Sequence, residues 1–170
     1  MSNYENYIAA PDLDSGNPLY SSNNTIGTFL NGEYLTSGSY LTTDQVAMIE
    51  DNTIWYLGAV GYDKSYKLAK YVSATSTTVT STTTTAKVGL LRLGELNSGY
   101  FDKSGNNTPY WTLTPYNTSY IHCIYDYGTM RPYGVTNLYG VLPAINLKSD
   151  VVITSGDGAK ENPFEVTLVG

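Results

Sequence analysis

The sequence predicts an α+β protein, with two short helices toward its N-terminal end and a mostly antiparallel sheet joined by long loops. Three observations carry this. Apolar residues at helical spacing cluster before residue 50, whereas from residue 53 onward β-branched and aromatic blocks alternate with Gly, Pro, Asn and Ser clusters. Charged residues make up only 14% of the chain, so its polar surface is hydroxyl and amide rather than ionic, as suits an extracellular domain. At 170 residues there is chain enough for one packed core, and 1–170 is read as a single domain.

Residues 1–20 read as an N-terminal arm with one short strand, Tyr7-Ile8-Ala9-Ala10, broken by Pro11, Gly16 and Pro18. From Ser22 to Tyr34, Ile26, Phe29, Leu30 and Tyr34 form a helical stripe, capped by Ser22 or Asn23 and weakened by Gly27 and Gly32. Thr42 and Gln45 have the spacing of a capping box, so a second short helix should run through Val46 and Ile49. Thr53–Gly58 is a strand. Trp55 in it is more economically a core residue than a ligand-stacking one, because large aromatics dominate burial. Tyr66–Tyr71 alternates and makes the next strand, across a turn at Gly61–Lys64.

Eight of the 14 residues in Ser73–Ala86 are Thr, the composition of an exposed loop or edge ribbon. Ala86–Leu91 is a buried strand. Arg92–Leu96 is one helical turn in which Arg92 and Glu95 can pair. Tyr100–Asn107 is a polar loop, Tyr110–Thr114 a central strand, and Ser119–Tyr127 another that turns at Gly128. Val141–Leu147 returns to the core. Val151–Thr154 and Phe164–Val169 close the chain as a hairpin. Its loop holds Asp157 and Glu161, too few carboxylates for a calcium ion that takes six to eight oxygens, so a structural turn is expected.

The window 116–139 stands apart in composition. It holds six of the chain's 17 tyrosines, where an even spread would give between two and three. Tyrosine offers a large, stiff, amphipathic contact area at low entropic cost. The window therefore reads as a recognition surface between framework strands, or as a Tyr-rich sheet edge with no ligand. The candidate contact residues are Tyr120, His122, Tyr125, Asp126, Tyr127, Arg131, Tyr133 and Tyr139. The scaffold beneath would be Trp55, Leu90, Trp111, Leu113, Val141, Ile145 and Leu147. Aromatic anchors around an Arg are what protein interfaces enrich, and phenol faces also stack on sugar rings.

Net charge is −6 and the nine basic residues form no stripe, which argues against nucleic acid and against direct contact with an anionic membrane. Cys123 is the single cysteine and His122 the single histidine, so neither a disulfide nor a zinc site is expected from them. Glu95 has no second carboxylate at a readable spacing. No catalytic residue, metal or cofactor is expected, and the chain reads as non-enzymatic.

Several blocks together resemble a domain family of Gram-positive bacterial surface and pilin-like proteins. They are Thr28–Leu35, Met48–Thr53 with Trp55–Gly58, Val88–Leu96, Tyr110–Pro115 and Gly140–Asp150, ending in Gly156-Asp157-Gly158. Family members carry Arg where this chain has Leu142. The resemblance implies a C-type-lectin-like fold, distantly related to formylglycine-generating enzymes, without the lectin calcium motifs or paired catalytic cysteines. It implies a cell-surface binding or adhesion role toward a protein or carbohydrate on another cell. It also implies a place on a pilus-like protein, with an N-terminal helix before Tyr4 and neighbouring pilin subunits. Some relatives of this fold are variable proteins of diversity-generating retroelements. Tyr120–Tyr127 is rich in Tyr, His, Cys and Asp, the products of an AAC codon altered at adenine, with Ile121 and Ile124 as framework.

Overall fold

The structure, a computed structural model, describes residues 8–9, 25–60, 66–67, 82–98, 109–117, 120–125 and 128–169. The expected arm 1–20 apart from its short strand, the cap at Ser22 or Asn23, the turn at 61–64 and the loop at 100–107 lie outside them. What is described is mixed α and β, with short helices and mostly antiparallel strands.

The helical stripe forms, but as two pieces: α1 (Thr25–Asn31) and α2 (Glu33–Thr36). Gly32 divides them. A Cβ there would sit 2.6 Å from the Thr28 carbonyl oxygen, so the chain bends where only glycine passes. Ile26 and Leu30 are fully buried. The Asn31 side chain then docks α1 on the sheet as a strand would. Its Nδ2 donates to the Val88 carbonyl (3.1 Å), and its Oδ1 accepts from the Val88 N–H (2.9 Å). The second helix, α3 (Thr43–Ala47), opens with the expected capping box. Thr42 N–H donates to Gln45 Oε1 (2.9 Å) and Gln45 N–H donates to Thr42 Oγ1 (3.2 Å).

Four sheets follow. The largest takes β1 (Ile8–Ala9), β9 (Leu138–Val141), β6 (Tyr110–Asn117), β7 (Tyr120–Tyr125) and β8 (Thr129–Gly134), in that spatial order. All its pairs are antiparallel except β6 with β9, which sets Trp111 beside Val141. A second sheet places β2 (Thr53–Val60) between β3 (Tyr66–Lys67) and β4 (Thr82–Ala86). So the Thr-rich segment ends as an edge ribbon. Thr residues fit there because a β-branched side chain suits a pleated surface without needing burial. In β2, Thr53 and Trp55 face inward while Ile54 is exposed, the alternation of a half-buried strand.

The short strands β5 (Val88–Leu90) and β10 (Pro143–Ile145) pair antiparallel, and β11 (Val151–Ser155) and β12 (Glu165–Leu168) form the closing hairpin. All of β5 is buried. Gly89 lets the Trp55 indole lie directly on the backbone, since a Cβ there would fall 2.6 Å from the ring. Trp55 is in turn fixed by its Nε1–H, which donates to the Ala86 carbonyl (3.0 Å).

One core joins α1 to the sheets through Trp55, Val88, Leu90, Trp111, Leu113, Ile121, Cys123 and Val141. Two expected scaffold residues are not in it: Ile145 is 41% and Leu147 45% exposed. Ile145 ends a three-residue edge strand, where no further strand covers it. Leu147 lies past that end and joins the body through a single bridge to Ile49. The loop between β11 and β12 is a structural turn, as expected. Gly156 and Gly158 have φ of 86° and 83°, and Asp157 Oδ1 accepts from Ala159 N–H (2.9 Å).

Candidate functional site

Most of the described part of the Tyr-rich window forms the antiparallel pair β7–β8 at one end of the five-stranded sheet, and pleating decides what it can present. Directly opposed residues share a face, and neighbours along a strand point opposite ways. On β7, Ile121 and Cys123 point into the core, 2% and 0% exposed. Tyr125 has the same parity. Across the strand pair, Tyr133 opposes Ile121, Arg131 opposes Cys123 and Thr129 opposes Tyr125. Trp111 on β6 opposes Cys123 and so belongs to this face too.

These side chains form a graded row from buried to exposed. Trp111, 1% exposed, packs against half-buried Tyr139 with ring centroids 5.0 Å apart. Tyr139 meets Tyr133 edge-on at 5.2 Å, and Tyr133 stacks on Tyr125 at 5.4 Å. The exposed Arg131 ends the row, its guanidinium carbon 5.8 Å from the centre of the Tyr125 ring. Burial pushes the Tyr139 phenol up to about 12, with Cys123, Tyr133 and Tyr125 adding to the effect. Tyr139 and Tyr133 pack against the core cluster and serve it as well as the surface.

Tyr120 and His122 face the other way. They share the opposite side of the sheet with Ile124, Met130 and Pro132. Tyr120 is 44% and Met130 48% exposed. Tyr116, 45% exposed, stands edge-on to the His122 imidazole at 5.3 Å. Neither Tyr116 nor Met130 is among the residues singled out from the sequence. Strand parity with Tyr120 and His122 would have marked Met130, but a bulge between Pro115 and Asn117 hides the parity of Tyr116. The eight candidate contact residues thus do not make one surface. Arg131, Tyr125, Tyr133 and Tyr139 lie on one face, Tyr120 and His122 on the other, and Asp126 and Tyr127 lie outside the described residues.

Threonines on β6 tie this divided strand pair to its neighbours. Between Trp111 and Pro115 the ladder slips, because four steps along β6 match only two along β7. Inside the slip, buried Thr112 donates its hydroxyl to the His122 carbonyl (2.7 Å) and accepts from Thr114 N–H (3.1 Å). Thr114, 1% exposed, accepts from Leu93 N–H (3.0 Å) at the start of α4 (Leu93–Ser98). Leu113 N–H leaves the sheet and donates to the Leu91 carbonyl (3.0 Å). Backbone groups orphaned by the bulge therefore keep partners, as buried polar groups must.

The two reactive side chains of the window are muted. The Cys123 thiol is fully buried, lies 3.4 Å from the Arg131 carbonyl, and is pushed up to about 12 by burial. A thiol held there stays protonated at neutral pH. Burial also pushes the His122 imidazole down, and its buried Nδ1 has no hydrogen-bond partner among the described residues.

A depression of about 160 Å³ lies between Ile54, Trp55, Leu91, Arg92, Glu95, Ala144, Ile145 and Asn146. Its carboxylate is committed. Glu95 accepts from the Arg92 backbone N–H (2.9 Å) and from the Arg92 guanidinium, so it caps α4 and closes the expected ion pair. Burial alone would raise the Glu95 carboxyl, but the bonds from Arg92 outweigh it and hold it below its ordinary value. Among the described residues no helix is long and apolar enough to cross a membrane. Comparison with known protein families, with curated proteins and with solved structures finds no match to this chain.

Proposed function

We propose that the chain is an extracellular, cell-surface ligand-binding or adhesion module that makes and breaks no covalent bond. Its contact surface is the Arg131–Tyr125–Tyr133 end of the inner sheet face, set at a C-type-lectin-like open edge. The observation that carries this is the graded row: one end is anchored on buried Trp111, and the other ends in an exposed arginine whose guanidinium carbon lies 5.8 Å from the centre of a tyrosine ring. Rings fixed by core packing lose little entropy on binding, and Arg and Tyr are the residues that dominate contact energies. The partner is a protein or a carbohydrate on another cell or surface. Diversification of this hairpin by a retroelement, proposed from the residue types in 120–127, would have to spare Cys123. A Tyr or Asp side chain has no room in that fully buried position. The test is binding of fluorescently labelled protein to intact cells. Tyr125→Ala with Arg131→Ala should abolish binding, and Tyr120→Ala should leave it. Binding that survives the first pair removes this surface from the account.

A second reading is a structural head domain of a pilin-like filament, and the outer sheet face favours it. Tyr116, Tyr120 and Met130 expose an aromatic and apolar patch there, flanked by half-buried Ile124 and Pro132. Long polymers of the full-length protein in electron micrographs, lost on Tyr116→Ser with Tyr120→Ser, would support it. A soluble monomer would remove it.

A further inference from the structure

We propose that Arg131 and the Tyr125–Tyr133 stack form a subsite for one carboxylated sugar residue, of the uronic or sialic acid class. This rests on the ligand-binding reading above and names the chemistry of the ligand. Arg131 carries the first observation. Lys87 and Lys148 are engaged by Asp51, and Arg92 by Glu95, but among the described residues no carboxylate pairs with Arg131. Its guanidinium carbon lies over the Tyr125 ring, 5.8 Å from the ring centre, and the residue is exposed. A guanidinium presents five donors in a planar fork that matches the two oxygens of a carboxylate. An exposed arginine beside an aromatic ring, with no carboxylate partner among the described residues, offers a place for one from a ligand.

Size chooses the class. A stable protein interface takes roughly 800 Å² and 20–30 residues on each side. The row here is one exposed cation and two half-buried rings, at steps of 5.8 Å and 5.4 Å, before it reaches Tyr139, which packs on buried Trp111. That length accommodates one or two sugar rings. Charge narrows the ligand further. A chain of net charge −6 repels dense polyanions, so a single carboxylate on an otherwise neutral, hydroxylated ligand is favoured over a heavily sulfated or phosphorylated one.

The experiment is an NMR titration of the full chain with three probes: glucuronate, glucose and N-acetylglutamate. Glucuronate should move the Arg131 Nε–H and Tyr125 resonances and saturate in the millimolar range. Glucose and N-acetylglutamate should each bind about ten-fold more weakly. Arg131→Ala should weaken glucuronate about ten-fold, and Arg131→Lys should recover part of that. Equal binding of glucose removes the carboxylate from the inference. Equal binding of N-acetylglutamate removes the sugar and points to an acidic peptide. Resonances that stay in place at tens of millimolar glucuronate overturn the subsite altogether. The parent reading fails separately, on cell binding that persists after both Tyr125→Ala and Arg131→Ala. Cell binding lost in Tyr125→Ala but intact in Arg131→Ala sinks only the subsite.

Discussion

Replacing Tyr139 and replacing Tyr120 should have unequal effects, although composition treats the two alike. Tyr139 is half-buried and touches Trp111 at 5.0 Å, Tyr133 at 5.2 Å and Tyr125 at 6.5 Å between ring centres. Truncating a fully buried large aromatic to Ala costs about 3–5 kcal/mol. Partial exposure lowers that figure, while three aromatic contacts, each about 0.5–1.5 kcal/mol when well packed, raise it. The expected loss for Tyr139→Ala is about 3 kcal/mol. Tyr120, 44% exposed on the outer face, should lose no more than about 0.5 kcal/mol on truncation. At about 2–4 °C per kcal/mol for a chain of this size, the melting temperatures should separate by roughly 5–12 °C. Urea unfolding followed by tryptophan fluorescence reads the difference as a shift of midpoint at constant slope. Equal midpoints for the two variants would refute the assignment of Tyr139 to the packed end of the row.

Three further perturbations follow from the same geometry. Gly89→Ala drives a methyl group to within 2.6 Å of the Trp55 ring, which its bond to Ala86 holds in place, so thermal melts should show a loss of about 1–3 kcal/mol. Asn31→Leu leaves the Val88 N–H and carbonyl without the amide that answers them, and chemical denaturation should report about 1–3 kcal/mol lost. His122 should make stability fall on the acid side of neutrality. Its folded pKa is depressed below the ordinary 6.5, so below that pH the unfolded chain takes up a proton that the folded chain resists. The contribution is complete above pH 6.5 and shrinks as pH drops toward the folded value. A His122→Phe variant should show a flatter stability profile between pH 7 and pH 5, and an unchanged slope would contradict the burial of the ring.

Much of the fold was legible because it rests on local rules. The Thr42–Gln45 capping box, the Arg92–Glu95 pair and the turn residues of the closing hairpin each sit within a few residues of their partners, and β5 was legible from its apolar composition although its partner β10 is distant. The helix around Ile26 was legible in pattern but not in length, since the break at Gly32 depends on how close the Thr28 carbonyl comes. The candidate site was legible in composition only. Which face a tyrosine takes depends on how its strand enters the sheet: β7 and β8 pair without a shift, but the bulges on β6, where Thr112 and Thr114 make non-local bonds, hide the parity of Tyr116. Ile145 and Leu147 read as core because they are aliphatic in a strand-like block. Their exposure comes from the shortness of β10, a property of its pairing with β5.

The claim at the centre is that one face of the β7–β8 pair grades from buried framework at Ile121 and Cys123 to an exposed end at Arg131, while Tyr120 lies on the opposite face. A saturation scan of β7 and β8, displayed on yeast and sorted for folded expression, tests it position by position. Tolerance should follow exposure on each face: Tyr120 and Arg131 accepting most polar residues, Ile121 and Cys123 accepting almost none, and Tyr133 accepting aromatics alone. Uniform tolerance along both strands, or intolerance at Tyr120 and Arg131 equal to that at Cys123, would contradict it.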